Sequence, residues 1–127
     1  MDLKRIGISS RIMNIEKFDE KRDAISHDWI DFLQKLEILP IIIPNKIKDV
    51  DKYISTLNLD GIILSGGDNI GEFPERDKTE IRIIDYSTRN NIPILGVCRG
   101  MQLINEFFNG KNVKSDNSNH VGKYHNV

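Results

Sequence analysis

Four short runs of nearly continuous apolar residues punctuate the chain, at 5–9, 39–43, 61–64 and 92–97, each bounded by Gly, Pro, Asn or Asp. Apolar residues on consecutive rather than alternate positions suit strands buried on both faces, and such strands belong to parallel sheets. Parallel neighbours need crossovers, and helical period fills the gaps. Over 21–36 the residues Ile25, Trp29, Phe32, Leu33 and Leu36 recur at spacings of three and four, which predicts one stripe for a sheet, with Asp28, Asp31 and Lys35 on the solvated side. Further helices are predicted over 48–57, over 76–89 with Asn90-Asn91 as its stop, and over 99–108. The last carries Met101, Ile104, Phe107 and Phe108 on one side, with Asn109-Gly110 as a left-handed stop.

Strand and helix alternating in this way predict an α/β fold. With right-handed crossovers it is an open, doubly wound, flavodoxin-like sheet, mostly parallel, with helices on both faces and one domain over 1–127. Ligands on such sheets sit beyond the carboxyl ends of the strands. Two turns lie there: Ser65-Gly66-Gly67-Asp68-Asn69 and Gly96-Val97-Cys98-Arg99-Gly100. After Gly110 the chain turns polar, with a short strand expected at 112–114 and another from Tyr124.

Eighteen basic residues against 19 acidic ones leave a net charge of -1 with no block of like charge, so no nucleic-acid partner is expected. At 39% apolar and 29% charged, the composition is that of a folded chain. The longest apolar run, 38–44, is far short of the roughly 20 residues that cross a bilayer, and Met1-Asp2-Leu3-Lys4-Arg5 does not open a secretory signal. A soluble cytoplasmic protein with no membrane partner is the expectation. Its lone cysteine, Cys98, has no internal disulfide partner, which leaves buried filler, a metal or redox role, or a nucleophile.

The neighbours of Cys98 favour the nucleophile. A residue on a sharp strand-to-helix turn needs small residues two positions before and after it, and Gly96 and Gly100 stand there. At a helix start, free N–H groups and the positive end of the dipole stabilise negative charge on sulfur. The Arg99 amide would face the space in front of the sulfur, and Gly66-Gly67 on the adjacent strand can bring a second backbone donor close because no Cβ intervenes. Taken alone, Gly66-Gly67 reads as a simple tight turn or a weak phosphate loop about as well as it reads as an oxyanion donor.

At these residues the chain resembles the class I glutamine amidotransferase superfamily, and within it the γ-glutamyl hydrolase branch. The matching stretches are Asp60-Gly61-Ile62-Ile63-Leu64-Ser65-Gly66-Gly67-Asp68, Arg76-Asp77-Lys78-Thr79-Glu80, and Ile92-Pro93-Ile94-Leu95-Gly96-Val97-Cys98-Arg99-Gly100-Met101-Gln102-Leu103. The opening Arg5-Ile6-Gly7-Ile8 and the run Leu39-Pro40-Ile41-Ile42-Ile43-Pro44 are similar too. The resemblance implies that Cys98 attacks the carbonyl carbon of a small-molecule γ-glutamyl amide and forms a thioester, releasing glutamate and a small amine. It implies backbone oxyanion donors at Gly67 and Arg99, and substrate contacts from Gln102, Gly66 and Asp68. No cofactor and no metal are called for. Arg99, where amidotransferase subunits usually carry a hydrophobic residue, tilts the reading toward the hydrolases.

Asp68, Asp77 and Glu80 recur in the family pattern, and capping or loop salt bridging explains them as well as substrate contact does. Asn109-Gly110 stands where the family usually has paired glycines, and Glu37 occupies a turn where glycine is common. The family completes its triad with a downstream His-x-Glu pair that would fall beyond Val127. The resemblance therefore makes this the front part of the domain, truncated at its C-terminus. His27, His120 and His125 read as surface or structural residues rather than the general base. Two alternatives stand beside the hydrolase: a glutaminase subunit delivering ammonia to a synthase partner, and an inactive fragment, poorly soluble or homo-oligomeric because of an uncovered sheet.

Overall fold

A computed structural model describes residues 2–114. In chain order the elements are β1 (Lys4–Ser9), β2 (Arg11–Ile15), a 3-10 turn (Glu16–Phe18), β3 (Glu20–Ala24), α1 (His27–Lys35), β4 (Ile38–Ile43), α2 (Val50–Leu57), β5 (Gly61–Leu64), α3 (Pro74–Arg89), β6 (Ile94–Gly96) and α4 (Arg99–Phe107). The four apolar runs form one parallel sheet in the order β4-β1-β5-β6. This is the expected flavodoxin-like α/β arrangement.

The two faces are separated by the alternation of side chains along each strand. Ile62 and Leu64 pack with Ile43, Val50, Ile54, Ile83, Ile84 and Leu103 under α2, α3 and α4. Ile63 points the other way and packs with Ile8 and Leu33 under α1. Each such buried side chain contributes about 1.5–3 kcal/mol through its transfer from water. Leu33, rather than Phe32 or Leu36, is the fully buried member of the α1 stripe; in α4 it is Leu103, while Met101 and Phe108 stay exposed.

The expected helix over 21–36 is in fact two elements. Residues 11–24 form the antiparallel hairpin β2–β3, and only His27–Lys35 is helical. Two local signals explain it. Ser26 is the N-cap of α1, its hydroxyl accepting the Asp28 N–H at 3.2 Å, and this fixes the helix start after Ile25. Asp19, at φ 47°, closes the 3-10 turn and sends the chain back along β2.

Smaller shifts have similar causes. Asp49 caps α2, so that helix begins at Val50, and Pro74 takes a first-turn place in α3, where a missing N–H costs nothing. The strand expected over 92–97 narrows to Ile94–Gly96, although Pro93 and Val97 still bond to β5 at 2.9 and 3.0 Å. Asn109, at φ 67°, supplies the left-handed stop after α4. Glu37 sits at φ 57°, a conformation that suits glycine. Residues 112–114 form no strand, because Asn112 turns back onto α4 and donates to the Gln102 carbonyl at 3.0 Å and the Glu106 carboxylate at 2.9 Å. The strand expected from Tyr124 lies outside the described residues.

Candidate active site

The chain leaves β1 outward for β4 and then crosses back to β5, so the order reverses between β1 and β5. A crevice opens where strand order reverses, beyond the carboxyl ends. Around it lie Ser9-Ser10 at the end of β1, the Ser65-Gly66-Gly67-Asp68 turn after β5, and Val97-Cys98 after β6.

Cys98 joins β6 to α4 at φ 53°, ψ -110°. This is positive φ outside the ordinary left-handed basin, a strained place for a residue with a Cβ. The surroundings enforce it. A Cβ on Gly96 would stand 2.6 Å from the Gly100 carbonyl carbon, and one on Gly100 would stand 2.3 Å from the Leu64 oxygen. Helix α4 is therefore pressed onto β5 and β6, and the thiol is left exposed at its N-terminus.

Gly66 borders the thiol: a Cβ there would meet Cys98 Cβ at 3.4 Å and Sγ at 3.9 Å. Beneath the turn lies the fully buried Arg76 of α3. Its guanidinium donates to three successive carbonyls, of Ser65 at 2.8 Å, Gly66 at 3.2 Å, and Gly67. In a trans peptide the N–H points opposite its C=O, so drawing these carbonyls inward turns the N–H groups of Gly66, Gly67 and Asp68 away from Arg76. Among the described residues no acceptor engages the N–H of Gly66, Gly67 or Arg99.

A buried network holds Arg76 in turn. Its Nε donates to Glu80 at 3.0 Å, while the other Glu80 oxygen accepts the Ser9 hydroxyl at 2.7 Å. The Arg99 side chain is also buried and pairs with both Glu80 and Asp77, tying the start of α4 to α3. Asp68 accepts from Arg76 at 3.0 Å and from the Ile12 N–H at 2.9 Å, so β2 hangs on the same carboxylate. Two more links hold the hairpin down. Asp23 accepts the N–H and side-chain amide of Asn45, and Lys21 reaches Glu75 at 3.0 Å. The backbone N–H of Glu75 itself, and then Lys21, hold the Glu75 carboxyl below its usual range.

Of the residues singled out in the sequence, Cys98, Gly66, Gly67, Asp68 and Arg99 converge on this crevice. The Asp68 carboxylate faces protein partners, and Asp77 and Glu80 are bound up with Arg99. Gln102 lies one turn into α4, exposed, its N–H donating to the Cys98 carbonyl at 3.1 Å. His27 is exposed at the start of α1, and His120 and His125 lie outside the described residues. Sequence reasoning assigned nothing to Ser9, Ser65, Arg11 or the Arg76 side chain. For Arg76 a signal existed: Arg76, Glu80, Ile83 and Ser87 form one helical stripe, and an opposite-charge pair on a stripe that turns apolar marks a buried ion pair. Among the described residues, no His, Cys, Asp and Glu side chains cluster as metal ligands, and no helix is long and apolar enough to cross a membrane.

Residues 5–126 match the profile of Peptidase C26. The chain belongs to this family, which is class I glutamine amidotransferase-like. The chain is similar to the gamma-glutamyl-CDP-amidate hydrolase of Campylobacter jejuni, 29% identical over 94% of this chain and 62% of the relative. The chain is also similar to the CTP synthase of Rickettsia peacockii, 34% identical over 80% of this chain and 19% of that protein. Anthranilate synthase component 2 of Cyanophora paradoxa is 36% identical over 73% of this chain and 46% of its own length. This Peptidase C26 chain thus spans less than two-thirds of the length of each of these relatives.

Proposed function

We propose that this chain carries the nucleophile half of a hydrolase that cleaves γ-glutamyl amides through a thioester on Cys98. The observation that carries the reading is the strained, exposed Cys98 set against a glycine turn whose carbonyls are all drawn inward by Arg76. The Cys98 sulfur attacks the side-chain carbonyl carbon of the γ-glutamyl group. The negative charge that develops on the carbonyl oxygen meets the free N–H groups of Gly67 and Arg99. The C–N bond then breaks, the amine leaves with a proton, and water hydrolyses the thioester to glutamate. Gln102 and Gly66 contact the glutamyl group. Asp68 contributes by fixing the turn. The general base is assigned to the His-x-Glu pair that the family resemblance places downstream.

The Campylobacter relative is named for hydrolysing a γ-glutamyl compound, which supports the hydrolase reading. Similarity to anthranilate synthase component 2 and CTP synthase favours a second one, a glutaminase that passes ammonia to a synthase partner. The test is glutamate release from γ-glutamyl amides by the protein at its full encoded length. Cys98→Ala is expected to lower turnover by about 10⁴-fold or more, as loss of a nucleophile does. Undiminished turnover would sink the assignment, and glutaminase activity that appears only with an added synthase would favour the second reading.

A further inference from the structure

Three arginines surround the Gly66-Gly67 turn, and they are not equivalent. Arg76 and Arg99 are buried and committed to the network beneath it. Arg11 lies on the open side. It is the first residue of β2, just past the carboxyl end of β1, so it stands on the β1 lip of the crevice and the glycine turn on the β5 lip. Its guanidinium rests where a side chain on Gly67 would go: an added Cβ would meet Arg11 Cζ and Nε at 3.0 Å and Nη1 at 3.1 Å. Gly67, at φ +83°, thus makes room for a cation as well as a turn.

That cation has donors to spare. Its side chain is 46% exposed, and its one ion pair among the described residues is a loose 3.6 Å approach to Asp68. The other Asp68 oxygen is already taken by Arg76 and the Ile12 N–H, so Asp68 holds Arg11 near the crevice without saturating its fork. In the same turn Gly66 borders Cys98, a Cβ added there standing 3.4 Å from Cys98 Cβ and 3.9 Å from its Sγ. Guanidinium and thiol are therefore separated by two adjacent residues, whose Cα atoms are about 3.8 Å apart.

We propose that Arg11 is a specificity residue that receives the α-carboxylate of the γ-glutamyl group while Cys98 attacks its side-chain carbonyl. The proposal rests on the γ-glutamyl reading above. In a γ-glutamyl group a short Cγ–Cβ–Cα stem joins the reacting carbonyl to the α-carboxylate, a span suited to a nucleophile and a cation that border one turn. The planar guanidinium fork matches a carboxylate with paired hydrogen bonds, which a lysine ammonium does not reproduce.

The test reads acylation-site recognition without needing the leaving amine. Alkylation of Cys98 by the γ-glutamyl-like diazoketone 6-diazo-5-oxo-L-norleucine, and by its analogue lacking the α-carboxylate, is followed by mass spectrometry in the protein at its full encoded length. The unmodified protein is expected to react about 10- to 100-fold faster with the carboxylate-bearing reagent, the factor that charge-assisted hydrogen bonds supply. Arg11→Gln is expected to erase that preference, with its melting temperature little changed, and Arg11→Lys to leave part of it. If the unmodified protein discriminates and Arg11→Gln does so equally, the role of Arg11 is overturned while the γ-glutamyl reading stands. If the unmodified protein does not discriminate, or Cys98 reacts with neither reagent, both fall. Should Arg11→Gln fail to fold, Arg11→Lys decides, and an undiminished preference there overturns the proposal.

Discussion

Among the described residues, α2, α3 and α4 close a buried apolar cluster of eight residues on one face of the sheet, whereas on the other α1 alone closes a cluster of three, its own Leu33 with Ile8 and Ile63. The register makes the contrast local. Ile62 pairs with Ile94 and Ile63 with Leu95, so Ile62 lies under the packed layer while Leu95, its near neighbour on the open face, is 58% exposed. The candidate site is built on the packed side. Ser9 of β1 and Arg76, Asp77 and Glu80 of α3 meet there, and the apolar contacts of Ile83 and Ile84 one turn further along α3 hold that helix against the sheet. Apolar packing supplies the stability, and the buried charges at the carboxyl-end rim supply the shape of the turn. Buried ion pairs are seldom net stabilisers, because the desolvation they incur offsets their attraction, but breaking one is costly.

That contrast can be broken most sharply at Glu80. Glu80→Ala leaves the guanidiniums of Arg76 and Arg99 buried without their shared carboxylate, and is expected to cost about 3–5 kcal/mol of unfolding free energy in chemical denaturation. A cost near zero would mean that the network does not hold the rim together.

A matched pair of truncations compares the faces themselves. Ile83→Ala, in the packed layer, is expected to cost about 2–5 kcal/mol, whereas Leu95→Ala on the open face should stay within about 0.5–1 kcal/mol. Equal costs would show that the open face is covered in solution.

The smallest effect concerns the hairpin's latch. The Glu75 carboxyl is held below its ordinary range, so its link adds stability above the unfolded pKa, and that stability is lost as pH falls through the lower folded value. Lys21 is largely exposed, which keeps the contribution under about 1 kcal/mol. Lys21→Ala should lower the melting temperature slightly at neutral pH and not at all at strongly acidic pH. A difference that persists in acid would assign the latch to packing instead of charge.

Much of this architecture was legible in one dimension, for a physical reason. Buried parallel strands must be apolar on consecutive positions, and helices lying on them must be apolar every third or fourth, so 39–43, 61–64 and 92–97 announced themselves. The turn at Gly96-Val97-Cys98-Arg99-Gly100 was equally readable, because close approach of a helix start to a strand excludes any Cβ at its two glycines. The β2–β3 hairpin was not. Its strands are mostly exposed, with Ile12 their one buried residue, carry no strong apolar alternation, and are held by distant partners rather than by their own composition.

The sequence alone determined the parallel α/β sheet and the place of Cys98 at the end of its last described strand, since both follow from period and from steric exclusion between near neighbours. Only the tertiary structure decided which charges would be buried and which left open. The Ser9–Glu80 and Ile12–Asp68 bonds join residues 71 and 56 positions apart. The fates of Arg76 beneath the glycine turn and Arg11 above it depend on which strand ends become neighbours, and local sequence does not encode that neighbourhood.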